Sequence, residues 1–124
     1  MASIKERKKI LKETFSKYVN RNFYCPCLSA WIIVNKESIK ETIFWASKSD
    51  KSTKLALELP KAIKEAKIYK TNLQPKAGKQ TKKFNFSEIF ILKSELDIGT
   101  AKITVGYKKS GKFIEYCITH FKKT

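Results

Sequence analysis

Arginine, aspartate and histidine are scarce in this chain of 124 residues, and each shortage narrows what the chain can do. Only Arg7 and Arg21 stand among 27 Lys plus Arg, only Asp50 and Asp97 among 11 Asp plus Glu, and His120 is the single histidine. With neither aspartate beside a motif, no Ser-His-Asp set can be assembled, and no acidic cluster is present to hold magnesium. The four glycines form no phosphate-cradling loop, which excludes P-loop and dinucleotide-binding chemistry. No apolar run is long enough to span a bilayer. The N-terminal "MASIKERKKILKETFSKYVNR" lacks the continuous apolar stretch of a secretory signal. Three cysteines cannot all pair with one another, so they are read as reduced thiols and the setting as cytoplasmic.

What is abundant is lysine. The formal net charge is +16. An AT-rich coding bias explains lysine in place of arginine, but it would raise glutamate equally, and glutamate has not kept pace. The surplus favours a polyanionic partner, with nucleic acid first and an anionic membrane or an acidic protein second. A membrane surface ranks last, because the apolar face of the basic N-terminal segment is needed for packing in so short a chain. The charge concentrates in "KIYKTNLQPKAGKQTKKFNF", residues 67–86, which holds six lysines and no acidic residue. Lys70, Lys76, Lys79, Lys82 and Lys83 there, with Lys108 and Lys109 farther on, are the candidate phosphate contacts.

The length and the 42% apolar content suit one domain over residues 1–124. Residues 3–20 have helical spacing, with Ser3 and Glu6 placed as a capping box and Ile4, Leu11, Phe15, Tyr18 and Val19 on one face. "AWIIV" (30–34) reads as a short buried strand or a docking segment, and "NKESIKETIFWASKS" as a helix. A further helix, capped at Ser52 or Thr53, should split at Pro60. Strand patterns then take over at 67–71, at 81–92 with a bulge near Ser87 and Glu88, at 100–108 and at 112–121, with "KSGK" as a tight turn. The expected fold is α+β, with N-terminal helices packed on a single four-stranded, mainly antiparallel β-sheet. Tyr69, Phe84, Phe86 and Tyr107 would stack bases if exposed, or form core if not.

Cys25, Cys27, Cys117 and His120 would together make a Cys3His zinc site, but the Cys-Pro-Cys spacing is too tight to wrap the metal. No metal and no cofactor is therefore expected. Cleavage of RNA through its own 2′-hydroxyl needs neither; it requires a base, an acid and cations for the phosphate. The predicted strands carry His120, Glu115, Thr119 and Lys102, groups able to do that work. Strict alternation sets Ile114, Tyr116, Ile118 and His120 on one face and Phe113, Glu115, Cys117 and Thr119 on the other, without saying which face is open.

The order "SIKETIFWASK" (38–48), "LELPKAIKEAKIYKT" (57–71), an interrupted basic strand and "AKITVGYKKSGKFIEYCIT" (101–119) resembles the small domains attached to phage polyvalent and MuF-type proteins. Those domains are grouped with the barnase–EndoU–colicin–RelE-like nucleases. The similarity covers residues 30–121, and "LPKAIKEA" is its most distinctive element. It implies a nuclease-like fold of a phage or mobile element and a metal-independent ribonuclease activity. Where several relatives carry a histidine after a helical lysine, this chain has Lys40 followed by Glu41. Glu41 therefore joins the candidate catalytic residues, or else activity has been lost. The alternative left open is a non-catalytic basic accessory or inhibitor protein that binds a host protein or nucleoprotein complex, such as a phage counter-defence factor.

Overall fold

The computed structural model describes residues 3–76, 78 and 83–122. Helix α1 (Ile4–Phe15) begins at Ser3, whose hydroxyl accepts the Glu6 N–H, and it buries only Leu11 and Phe15. Strands β1 (Arg21–Cys25) and β2 (Ala30–Val34) form a hairpin around Pro26–Leu28, closed by Ser29 in the left-handed region. Asn35 and Ser38 cap helix α2 (Lys36–Ala46) reciprocally. Helix α3 (Asp50–Ala56) is capped by Ser49 and not by the expected Ser52 or Thr53. Pro60 opens helix α4 (Leu59–Glu65), where its missing N–H leaves no backbone bond unmade. Strands β3 (Lys67–Leu73), β4 (Glu88–Leu96), β5 (Gly99–Tyr107) and β6 (Phe113–His120) complete the chain. No helix among the described residues is long and apolar enough to cross a membrane.

The expected sheet of four mainly antiparallel strands is incorrect. Six strands form one mixed sheet in the order β1-β2-β6-β5-β4-β3, with β2 and β6 parallel. The missed strand is "RNFYC", too short before Pro26 to show a period. The parallel pairing was illegible because it joins residues far apart in sequence, Ile32 with Phe113 and Ile33 with Ile114. Only those two pairs form. Asn35 then turns the chain into α2, which packs along the remainder of β6.

The helices cover one face, here called the inner face, over a core that includes Phe15, Ile32, Leu55, Ile63, Leu92, Ile103 and Ile118. Part of the outer face has its own apolar cover. Phe84 and Phe86, expected in a strand, lie before β4 begins, because Asn85 at φ 56° breaks the extended backbone between them. Their rings stack 4.9 Å apart and cap Ile89, Ile91 and Ile114. Phe86 rests on Gly106, where a Cβ would stand 2.3 Å from the ring. The two phenylalanines are thus core residues, 1% and 5% exposed.

The expected bulge at Ser87 and Glu88 is absent, since β4 pairs with β5 without interruption from Glu88 to Leu96. The shift falls in β6, where Thr104 faces Cys117 but Val105 faces Glu115, leaving Tyr116 as the extra residue. That one residue overturns the strict alternation. Glu115 joins Ile118 on the inner face, while Ile114 and Tyr116 belong to the outer cluster.

Candidate nucleic-acid interface

Beyond the phenylalanine cap, the outer face is open and basic. The ladder sets Lys67 opposite Lys93, Lys93 opposite Lys102, and Lys102 opposite Thr119, a row across four strands. Directly opposed side chains stand about 5 Å apart at Cβ, so like charges there destabilise the sheet. None of the three lysines has an ion pair with a described residue. Two aromatic rings sit above the row. Tyr69 meets Phe121 edge-on at 5.1 Å, and the Lys93 ammonium lies 4.8 Å from the Phe121 centroid and 6.0 Å from that of Tyr69.

This row borders a pocket of ≈ 670 Å³ lined by Lys51, Lys93, Glu95, His120, Phe121 and Lys122, with Gly99 and Thr100 at its base. The Phe121 N–H bonds to the Thr100 carbonyl at 2.9 Å, which extends the β5–β6 pairing to the pocket wall. On the inner side, the His120 N–H donates to the Ser52 hydroxyl at 2.9 Å, tying β6 to α3 and bringing Lys51 to the rim. Gly99, at φ 145°, leaves room for the Lys51 stem, whose Cε would otherwise lie 2.8 Å from a Cβ. Partial burial, and then Lys51 and Lys122, hold the His120 imidazole below its usual range, so its neutral form is favoured.

The candidate catalytic residues do not converge. Lys102 and Thr119 are opposed on the outer face, and His120 lines the pocket at the strand end. Glu115 is fully buried under α2, where the Thr42 hydroxyl donates to its Oε2 at 2.8 Å and its Oε1 has no partner among the described residues. Burial pushes its carboxyl up to about 8 against the Thr42 hydrogen bond, so at neutral pH Glu115 is mainly protonated and out of reach of any substrate. Glu41, 5% exposed, accepts from Tyr116 Oη and Trp45 Nε1, both at 3.2 Å. It fastens α2 to β6.

The candidate phosphate contacts are also dispersed. Lys70 lies on β3 with its ammonium 5.6 Å from the Tyr69 ring centroid, next to the row, and Lys76 is exposed beyond β3. Lys83 pairs with Glu37 at 3.4 Å, and this contact is the main reason the Glu37 carboxyl stays below its usual range. Lys108 and Lys109 stand in the β5–β6 turn, at the other end of β5 from Gly99. Lys79 and Lys82 lie outside the described residues. The sequence reading missed Lys51, Lys67, Lys93, Glu95 and Phe121 as a group. Glu95 and Lys93 could have been found by laying "LKSEL" against "TAKIT" as a hairpin around Gly99, whereas no local pattern brings Lys51 there.

The four soft ligands do not come together. Cys25 and Cys27 lie 3.5 Å apart at sulfur, and burial pushes the Cys27 thiol up to about 12, while Cys117 contacts the Glu41 carbonyl at 4.0 Å. Among the described residues no three His, Cys, Asp or Glu side chains group as metal ligands would. No family model matches the chain, and neither does any curated protein or solved structure, so the reading of this interface rests on its own geometry.

Proposed function

We propose that the chain binds single-stranded nucleic acid, RNA above DNA, along the open half of the outer face. The observation that carries this is the row Lys67–Lys93–Lys102, three cations set in register with no ion pair to a described residue. Folding alone gives no reason to stack them, whereas a phosphate backbone laid across the row turns mutual repulsion into attraction. Tyr69 and Phe121 add ring surface for bases, and sequence-tolerant stacking combined with a basic groove is the general pattern of single-strand binding.

The test is titration of labelled single-stranded RNA at several salt concentrations. Five lysines (Lys51, Lys67, Lys93, Lys102 and Lys122) engaging phosphates predict a slope of log affinity on log salt on the order of −3.5. Lys102→Glu should weaken binding evenly across RNA sequences. It should also raise the stability of the free protein by a few tenths to about 1 kcal/mol, because a like-charge row gains a counter-charge. A salt-independent affinity would end the proposal.

Cleavage is a second reading, favoured by one observation: Glu95 and His120 line the same pocket beside three lysines. Once a bound phosphate has favoured protonation of the imidazole, a carboxylate base and an imidazolium acid beside a cation-held phosphate are sufficient for attack by the 2′-hydroxyl without a metal. RNA turnover in EDTA that disappears in both His120→Ala and Glu95→Gln would establish it. Turnover unchanged in either variant would dismiss it.

A further inference from the structure

The lysine row occupies one end of the outer face, and the opposite end carries a second cluster of exposed rings and cations. Tyr24 and Trp31 are cross-strand partners on β1 and β2, with ring centroids 5.3 Å apart, and they are 46% and 59% exposed. In the parallel register that pairs Ile32 with Phe113, Trp31 falls level with Lys112. The turn brings Lys108 to the same level, its N–H bonded to the Lys112 carbonyl at 2.9 Å. Tyr24, Trp31, Lys112 and Lys108 therefore continue the ladder one step beyond the capped row of Ile33, Ile114 and Gly106.

No Asp or Glu occurs in residues 21–34 or 108–114. The carboxylate nearest along the ladder, Glu88, pairs with Tyr107, on the parity of the inner face. A cross-strand aromatic pair by itself strengthens a hairpin. It does not account for a tryptophan more than half exposed next to a turn with three lysines and no counter-charge. Large exposed apolar surface rimmed by charge of one sign is the mark of a binding site, and the sign here selects a polyanion.

We propose that Tyr24 and Trp31, with Lys108 and Lys112, form a second base-stacking subsite for the same single-stranded nucleic acid. The proposal rests on the reading of the lysine row given above. The six residues from Lys102 to Lys108 separate the two clusters by roughly 20 Å along the strands at about 3.4 Å per residue. A stacked single strand at about 3.4 Å per nucleotide needs roughly six nucleotides to reach both. The phenylalanine cap between them is the floor over which the strand passes.

The experiment uses 5′-labelled oligouridylates of 4 and 12 nucleotides and the full chain. A Trp45→Phe background leaves Trp31 as the sole tryptophan reporter, and circular dichroism checks the fold of each variant. The 12-mer should quench Trp31 fluorescence and bind more tightly than the 4-mer. Trp31→Ala should weaken 12-mer binding roughly five- to a hundredfold, the range for losing one stacked base, and abolish most of its advantage over the 4-mer. Binding of the 12-mer with no quenching and no effect of Trp31→Ala would overturn the second subsite and leave the lysine row standing. Failure of the unmodified chain to bind either oligomer would overturn both.

Discussion

The two halves of the outer sheet face obey opposite rules. At one end Phe84 and Phe86 close over Ile89, Ile91 and Ile114, and every contact lowers the free energy of the folded chain. At the other, the same strands set Lys67, Lys93 and Lys102 against one another, an arrangement that folding would avoid. Strand geometry is common to both ends, so the difference lies in what each surface meets. The capped half meets its own chain. The lysine half carries no such cover.

The largest expected effect tests the capped half. Phe84 is 1% exposed, stacked on Phe86 and edge-on to Tyr116, so Phe84→Ala should cost about 3–5 kcal/mol in urea unfolding. Affinity of the folded variant for the 4-nucleotide oligouridylate, too short to pass over the cap, should change little, because the lysine row lies beyond the cap. A cost below 1 kcal/mol would mean that the cap is not a second core, and the contrast between the halves would disappear.

Much of the scaffold was readable because its signals are local. The Ser3 cap, the break at Pro60 and the Lys108–Lys112 turn each depend on a few adjacent residues. What was lost depended on distant partners. The alternation at Phe84 and Phe86 imitates a strand, and only the positive φ of Asn85 shows that both rings can face the sheet without joining it. A single bulge at Tyr116 moved Glu115 from a candidate catalytic residue to a buried acid, which no parity count could anticipate. The interface suffered in the same way: His120 and Lys102 were named from the sequence, but Lys51 reaches the pocket only through the packing of α3 on β6.

A smaller effect contrasts the inner face with the lysine row. Both hold ionisable groups in unfavourable places, but Glu115 escapes by keeping its proton. Its folded value, about 8, lies above the ordinary 4.5, so the folded state binds the proton more tightly than the unfolded state does. The resulting stability is fully present below about 4.5 and is lost as pH rises to about 8, after which it levels off. Glu115→Gln should remove that slope and stabilise the chain at pH 8 by a few kcal/mol, on the order of the linkage between the two values. Thermal melts across pH 5 to 8 read this directly. A wild-type chain equally stable at both ends of the range would show that Glu115 is not held neutral.

The finest test uses His120, the single imidazole of the chain and hence an isolated signal in a proton–carbon NMR titration. In the free protein, partial burial and the neighbouring Lys51 and Lys122 hold it below the usual range, so the folded state sheds its proton more readily than the unfolded state. This group's contribution is intact above the ordinary value of 6.5 and declines as pH falls through the folded value, a slope opposite to that of Glu115. A phosphate seated in the pocket reverses the local field, because its negative charge outweighs the two ammonium groups at close range. The His120 titration should therefore move upward when saturating oligouridylate is added. By reciprocity, RNA affinity should rise as pH is lowered through the same interval, by the same free energy. An imidazole that titrates identically with and without RNA would place the phosphates on the lysine row alone, and would remove both the pocket and the cleavage chemistry built on it.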